Sequence, residues 1–249
     1  MHEYLPSSVF VAHIPEGSLV VDIGANLGEY TALAARATGK QGRVVAYEPN
    51  PLVRERLVRN IKVNNLENVE VSPLALGSED GEAILRVPSD ESGLGTLRAG
   101  VSGTEYHVQT RRLDTVLSEA DKRRVAMVKV DVEGLELQVF HGAQETLETA
   151  RPMILYECAA EVFDTRHGRA VTPTMEFLED KGYNNFVITM TRNGDWALRR
   201  LTQETDPRDY REPWEVLVVV AIHRTDARQV RLWGKSSLRP CRILERLGH

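Results

Sequence analysis

Short apolar runs that alternate with longer amphipathic segments are the feature that most constrains this fold. Runs at 19–23, 43–48 and 125–132 are typical of buried strands. Between them, residues 51–64 place apolar side chains four residues apart, which predicts a helix with one buried face. The same reading predicts helices at 29–38, 113–120 and 135–149, a third strand within 68–76 and a fifth strand at 152–158, so that the run at 125–132 is the fourth strand. Alternating strands and helices predict an α/β fold, a mostly parallel sheet covered on both faces.

The length and composition predict one main domain. A chain of 249 residues is long enough for one α/β domain with additions. We expect an N-terminal cap segment at 1–17, a main domain at 18–223 that contains an inserted hairpin and lid region at 82–112, and a basic tail at 224–249. Seven lysine or arginine residues face two acidic residues in that tail.

Charge and apolar run length restrict the partners and the compartment. The net charge of −5 argues against a surface dedicated to nucleic acid. The longest apolar run, at 216–222, is far shorter than the roughly 20 residues of a membrane span. The two cysteines form no disulfide framework, and the N-terminal residues do not have the pattern of a signal peptide. We therefore expect a cytoplasmic protein with no membrane partner.

A glycine-containing loop follows the first strand and predicts a ligand site. Parallel sheets bind ligands beyond the carboxyl ends of their strands. Gly24 and Gly28 allow close approach of a ligand to the backbone, and the next helix offers free N–H groups to a carboxylate. Asp22 could pair with an ammonium group. Together these features suit a zwitterion such as an amino acid.

Glu48 ends the second strand and predicts a nucleoside. A carboxylate there accepts hydrogen bonds from both ribose hydroxyls. NAD would also satisfy this observation. However, the dinucleotide fingerprint G-x-G-x-x-G has a glycine where this chain has Asn26. The loop therefore favours a cofactor without a pyrophosphate, although NAD remains an alternative.

Several motifs resemble FkbM-type S-adenosylmethionine-dependent methyltransferases. They include VVDIGANLGEYTALAA, GRVVAYEPNP, VKVDVEGLELQVFHGA and PMILYE, and the resemblance covers residues 18–190. It implies the class I methyltransferase fold, a Rossmann-like seven-stranded sheet with one antiparallel edge strand. It also implies S-adenosyl-L-methionine as cofactor, with contacts from Asp22, Gly24, Asn26, Gly28, Tyr30, Thr31, Glu48, Pro49, Asn50 and Ala75.

Carboxylates at the ends of the fourth and fifth strands are candidates for the chemistry. Methyl transfer to an alcohol requires that the acceptor be positioned and its proton removed. Asp131 is the first candidate for this base and Glu157 the second, while helix capping is the structural alternative for Asp131 and Glu133. Such a cluster could also hold Mg²⁺, which prefers oxygen ligands, but the sequence does not require a metal.

The sequence predicts a methyltransferase that acts on a hydroxyl of a small molecule, natural product or sugar. The alternatives are an amine or nucleic-acid acceptor, a NAD-dependent oxidoreductase, and a non-catalytic cofactor-binding subunit. Self-association into a homo-oligomer is compatible with these motifs, and the basic tail could contact an anionic partner or a second subunit.

Overall fold

The first strand, whose five residues are all buried, leads directly into the first helix through the glycine loop. The computed structural model describes residues 11–88, 95–97, 102–158, 172–190, 196–201 and 217–226. The cap segment at 1–17 and the basic tail at 224–249 lie mostly outside these ranges, as does part of the lid region. Those assignments therefore stay predictions.

Strands and helices alternate in two parts of the described chain, within 19–72 and within 125–190, as the sequence pattern predicts. The strands are β1 (Leu19–Ile23), β2 (Arg43–Tyr47), β3 (Val69–Ser72), β4 (Ala75–Leu76), β5 (Gly81–Val87), β6 (Thr104–Arg111), β7 (Val125–Val130), β8 (Met153–Cys158), β9 (Tyr183–Met190), β10 (Trp196–Arg200) and β11 (Leu217–His223). The helices are α1 (Glu29–Thr38), α2 (Pro51–Val63), α3 (Leu113–Val116), α4 (Glu119–Lys122), α5 (Glu136–His141), α6 (Gln144–Ala150) and α7 (Pro173–Asp180).

The main sheet has the order β10-β9-β11-β8-β7-β1-β2-β3. The strands from β3 to β8 in this order are parallel, whereas β11 runs antiparallel to both β8 and β9. The predicted seven-stranded, mostly parallel sheet is confirmed. The described residues add an eighth strand, β10, antiparallel to β9 at the edge, so β11 lies inside the sheet.

Three predicted elements are each divided in two. The strand expected at 68–76 becomes β3 and β4 in different sheets, because Pro73 between them has no N–H for a ladder. The helix expected at 113–120 becomes α3 and α4, since Ser118 caps a new helix by accepting from Asp121 N. The helix expected at 135–149 is interrupted at Gly142, where a Cβ would lie 2.0 Å from the Gly77 carbonyl oxygen.

A second, smaller sheet lies above the end of the main sheet. β5 and β6 form an antiparallel hairpin within the segment 82–112, and β4 pairs with β6. Leu85 and Val108 pack with Ala75 in a small apolar cluster of their own. The hairpin thereby covers the region where β3 leaves the main sheet.

The alternation of side chains brings charged residues to one face of three neighbouring strands. Val20, Met127 and Leu155 belong to one apolar cluster, on the sheet face that α1 covers. Asp22, Lys129 and Glu157 each follow two residues later on β1, β7 and β8, so they share that face at the carboxyl ends of the strands. Among the described helices, no single one is both long and apolar enough to cross a membrane.

Candidate cofactor and active site

The glycine loop between β1 and α1 has a left-handed backbone at three positions, with φ of +72° at Gly24, +50° at Asn26 and +90° at Gly28. A Cβ on Gly24 would lie 1.8 Å from the Asp131 carbonyl oxygen, and one on Gly28 would lie 2.4 Å from Leu57 Cδ1. Contacts with the protein's own atoms already exclude a side chain. The predicted close approach of a ligand to the backbone at these glycines is a separate matter and stays a prediction.

Glu48 is held in place by backbone donors on both sides. Its Oε2 accepts from Asn26 N and its Oε1 from Asn50 N, each at 2.9 Å. Burial raises the pKa of Glu48, while these two N–H groups oppose the rise. Each carboxylate oxygen keeps a further lone pair. Glu48 can therefore accept from two vicinal hydroxyls while it also orders the loop.

A cleft opens beside Glu48 and extends to the end of β7. Its lining residues are Ile23, Gly24, Asn26, Tyr47, Glu48, Pro49, Leu74, Ala75, Leu76, Leu85, Gly95, Leu97, Asp131, Val132, Glu133 and Leu135. The walls contributed by the turn after β3 and by the hairpin are apolar. Carboxylates lie at both ends. A flat apolar group with a diol at one edge suits this chemistry.

Asp22 and Thr31 lie beneath the loop rather than in the cleft. Both are completely buried, and Thr31 Oγ1 donates to Asp22 Oδ2 at 2.5 Å. Asp22 Oδ1 lies 3.7 Å from Lys129 Nζ. The expected direct pairing of Asp22 with a cofactor ammonium is thus corrected, because its side chain has no exposed surface and Lys129 faces its charge.

Asp131 and Glu157 form the acidic end of the site. Asp131 Oδ2 accepts from Lys129 Nζ at 3.2 Å, and its side chain is 28% exposed. Burial raises the pKa of Glu157 to about 7, with the negative charge of Asp131 as the next cause, while Lys129 opposes the rise. Topology therefore brings the two predicted catalytic candidates into electrostatic contact.

The turn after Asp131 is held by a third carboxylate. Glu133 and Gly134 both have positive φ, and Glu136 Oε1 accepts from Gly134 N at 3.1 Å and from Val132 N at 3.4 Å. Glu136 therefore uses its carboxylate to hold the backbone of this turn. Within the described ranges, no group of three or more His, Cys, Asp or Glu side chains is arranged to hold a metal ion. The Mg²⁺ option therefore gains no support.

Comparison with known proteins now decides the family. The model of the Methyltransferase FkbM domain matches residues 22–184, more than half of the chain. The chain belongs to the FkbM methyltransferase family. It is an S-adenosylmethionine-dependent methyltransferase, as the resemblance of its motifs predicted, and the NAD-dependent alternative is discarded.

Two curated relatives and one solved structure illustrate this similarity. "Methyltransferase 1" of Beauveria bassiana is 29% identical over 207 residues, which cover 75% of this chain and 79% of that protein. The hexuronic acid methyltransferase AglP of Haloferax volcanii is 28% identical over 141 residues, 56% of each chain. Cofactor-bound Rv0187 from MTB shares the fold with a TM-score of 0.50 and 18% identity, covering 91% of this chain and 82% of the other.

The predicted site residues of this FkbM methyltransferase fall into two groups, those that line the cleft and those that do not. The cleft is lined by Gly24, Asn26, Glu48, Pro49, Ala75 and Asp131. The other predicted residues, Asp22, Gly28, Tyr30, Thr31, Asn50 and Glu157, lie outside its lining. Asn50 caps α2 by accepting from Leu52 N, and Tyr30 packs against the apolar cluster beside α1.

Sequence reasoning missed Lys129 and the hairpin leucines Leu85 and Leu97. Lys129 was quoted in a motif without a role, although a lysine inside an otherwise apolar strand is a signal by itself. The leucines gave no comparable signal, since only the folded hairpin brings them to the cleft. The residues present fit S-adenosylmethionine, because a diol acceptor, apolar walls and a glycine loop meet in one cleft.

Proposed function

We propose that this methyltransferase transfers the methyl group to a hydroxyl oxygen of a small molecule, natural product or sugar. The single observation that carries the proposal is the pair of carboxylates at the ends of β7 and β8: Asp131 lines the cleft, and beside it the pKa of the buried Glu157 carboxyl is raised to about 7. A hydroxyl must lose a proton during methylation, whereas an amine already offers a lone pair. A general base works best when its pKa lies near the operating pH.

The cofactor half of the site supports binding of the adenosine and methionine parts. In the proposal Glu48 accepts from the ribose hydroxyls, and Gly24 and Asn26 face the methionine part with their backbone. The apolar stretch around Ala75 packs against the adenine, next to Pro49. The remaining predicted residues would contribute backbone groups or keep the loop ordered. They are Asp22, Gly28, Tyr30, Thr31 and Asn50.

The acceptor half would orient the substrate and receive its proton. S-adenosylmethionine, when bound, supplies the methyl group and the leaving group. Asp131 lines the cleft and would orient the acceptor hydroxyl, and Glu157, more deeply placed, would share the released proton with it. Two neighbouring carboxylates, of which Glu157 has the raised pKa, can perform both tasks.

The similarity to AglP favours a sugar or sugar acid among these acceptors. That relative's name states that it methylates a hexuronic acid. We further propose that the enzyme works in the cytoplasm on a small acceptor rather than on nucleic acid, in line with its net charge of −5.

The test combines binding with labelled methyl transfer. Calorimetry with S-adenosylhomocysteine should show binding to the wild-type protein. S-adenosylmethionine with a labelled methyl group is then incubated with glucuronic acid, glucose, a phenol and glucosamine, and products are separated by mass spectrometry. Label on a hydroxyl oxygen supports the proposal. Label on the glucosamine nitrogen alone, or no binding of S-adenosylhomocysteine, contradicts it.

A further inference from the structure

Lys129 is a buried lysine at the junction of the two halves of the site. Only 6% of its side chain is exposed, and it stands opposite Asp22 in the register of β1 and β7. Its ammonium donates to the Gly24 carbonyl oxygen at 2.8 Å and to Asp131 Oδ2 at 3.2 Å. One cation therefore joins the first residue of the glycine loop to Asp131, the carboxylate proposed to orient the acceptor.

The groups around Lys129 are almost all negative or electron-rich. Asp22 faces it from β1, Asp131 from the end of β7 and Glu157 from β8, and the Tyr30 ring of α1 lies 5.5 Å away. Burial lowers the pKa of Lys129, but the carboxylates outweigh it and the pKa is raised. The lysine thus stays charged and offsets the mutual repulsion of these acids.

A second lysine shows that burial among carboxylates does not by itself link a lysine to the site. Lys122 is equally buried, with 6% of its side chain exposed, and it contacts Glu119 at 2.7 Å and Glu145 at 2.6 Å. It lies on α4 and contacts neither the loop nor the cleft lining. Lys122 is therefore a matched control for the loss of a buried cation.

We infer that Lys129 is a positioning residue, which ties the Gly24 carbonyl of the cofactor loop to Asp131 and supplies the positive charge that holds Asp131 and Glu157 together. The inference rests on the proposed roles of these two carboxylates. It assigns to Lys129 two effects that a packing residue would not have, one on the titration of Glu157 and one on cofactor affinity.

The experiment replaces Lys129 by an uncharged residue of similar length. Lys129→Met and Lys122→Met are compared with wild type in a ¹³C NMR titration of the glutamate side-chain carboxyls, with the Glu157 signal identified by its loss in Glu157→Gln. Affinity for S-adenosylhomocysteine is measured by calorimetry on the same proteins. A double variant, Asp22→Asn with Lys129→Met, removes one charge of each sign and serves if the single variant does not fold.

In the wild type, Glu157 should titrate near pH 7. Loss of Lys129 should raise this midpoint by about one unit or more, and it should weaken S-adenosylhomocysteine binding about tenfold. Lys122→Met should change neither. An unchanged Glu157 midpoint in a folded Lys129 variant overturns the inference, as does an equal shift in Lys122→Met. Wild-type protein that binds no S-adenosylhomocysteine overturns the proposed function instead, and the titration still decides the role of Lys129.

Discussion

Glu48 and Glu157 stand at the carboxyl ends of β2 and β8, and their surroundings differ in one respect. Both are mostly buried, which raises the pKa of each. Glu48 accepts hydrogen bonds from two backbone N–H groups, which stabilise its charged form. Glu157 faces Asp131 and further carboxylates that oppose it. The carboxyl ends of one sheet thus carry a carboxylate whose charged form is stabilised and another whose charged form is opposed, which fits the binding and proton-transfer roles proposed for them.

The largest expected effect concerns Glu157, at the acidic end of the site. Glu157→Gln removes the proposed proton acceptor without changing the shape of the side chain. We expect labelled methyl transfer to fall by about 10²- to 10⁴-fold, while S-adenosylhomocysteine binds within about threefold of wild type. The matched control is Glu148→Gln, an exposed glutamate paired with Lys181. Equal activity of the two variants would show that Glu157 has no part in the reaction.

The second prediction concerns Gly24, where the two halves touch. Gly24→Ala forces a Cβ against the Asp131 carbonyl at a residue with φ of +72°. We expect the free energy of unfolding to fall by about 2–5 kcal/mol, measured by urea denaturation. Gly77→Ala is the control, because a Cβ there meets nothing within 4 Å. Similar losses in both variants would contradict the contact between the loop and Asp131.

The third prediction concerns Glu48, at the cofactor end of the site. Glu48→Gln replaces a carboxylate by an amide that cannot accept with both ends, so the ribose and the Asn26 and Asn50 N–H groups compete for one oxygen. S-adenosylhomocysteine should bind about 10- to 100-fold more weakly in calorimetry. Glu70→Gln, an exposed position on β3, should bind as wild type does. Undiminished binding to Glu48→Gln would mean that the ribose lies elsewhere.

The smallest expected effect is a change of the free energy of unfolding with pH. The pKa of Glu157 is raised from 4.5 to about 7 on folding, so the folded protein keeps a proton that the unfolded chain releases. Stability from this group is present below pH 4.5 and is lost as the pH rises towards 7, by about 1–3 kcal/mol. Urea denaturation at pH 5 and pH 8 should show this loss in wild type, and Glu157→Gln should show less of it.

The sequence was sufficient to predict local structure where that structure depends on contiguous residues. The run from Leu19 to Thr38 predicted a strand, a glycine turn and a helix, and the bounds of both β1 and α1 agree. Glu48 was found because strand ends in a parallel sheet point to a shared crevice. An overlooked signal was the Asn193-Gly194 pair between β9 and β10, a dipeptide typical of hairpins.

Contacts between distant segments decided what the sequence could not. The pattern predicted a turn at Gly24 and Gly28. It did not predict that the Asp131 carbonyl and the Leu57 side chain exclude a Cβ there. It placed Asp22 toward a ligand, whereas the register of β1 and β7 sets it opposite Lys129. Local periodicity predicted the strands, the helices and the glycine loop of this methyltransferase, although three of the predicted elements are divided in the structure. The charge environment of Glu157 and Lys129 was decided only by the folded sheet, because electrostatic energy depends on distance and burial rather than on order along the chain.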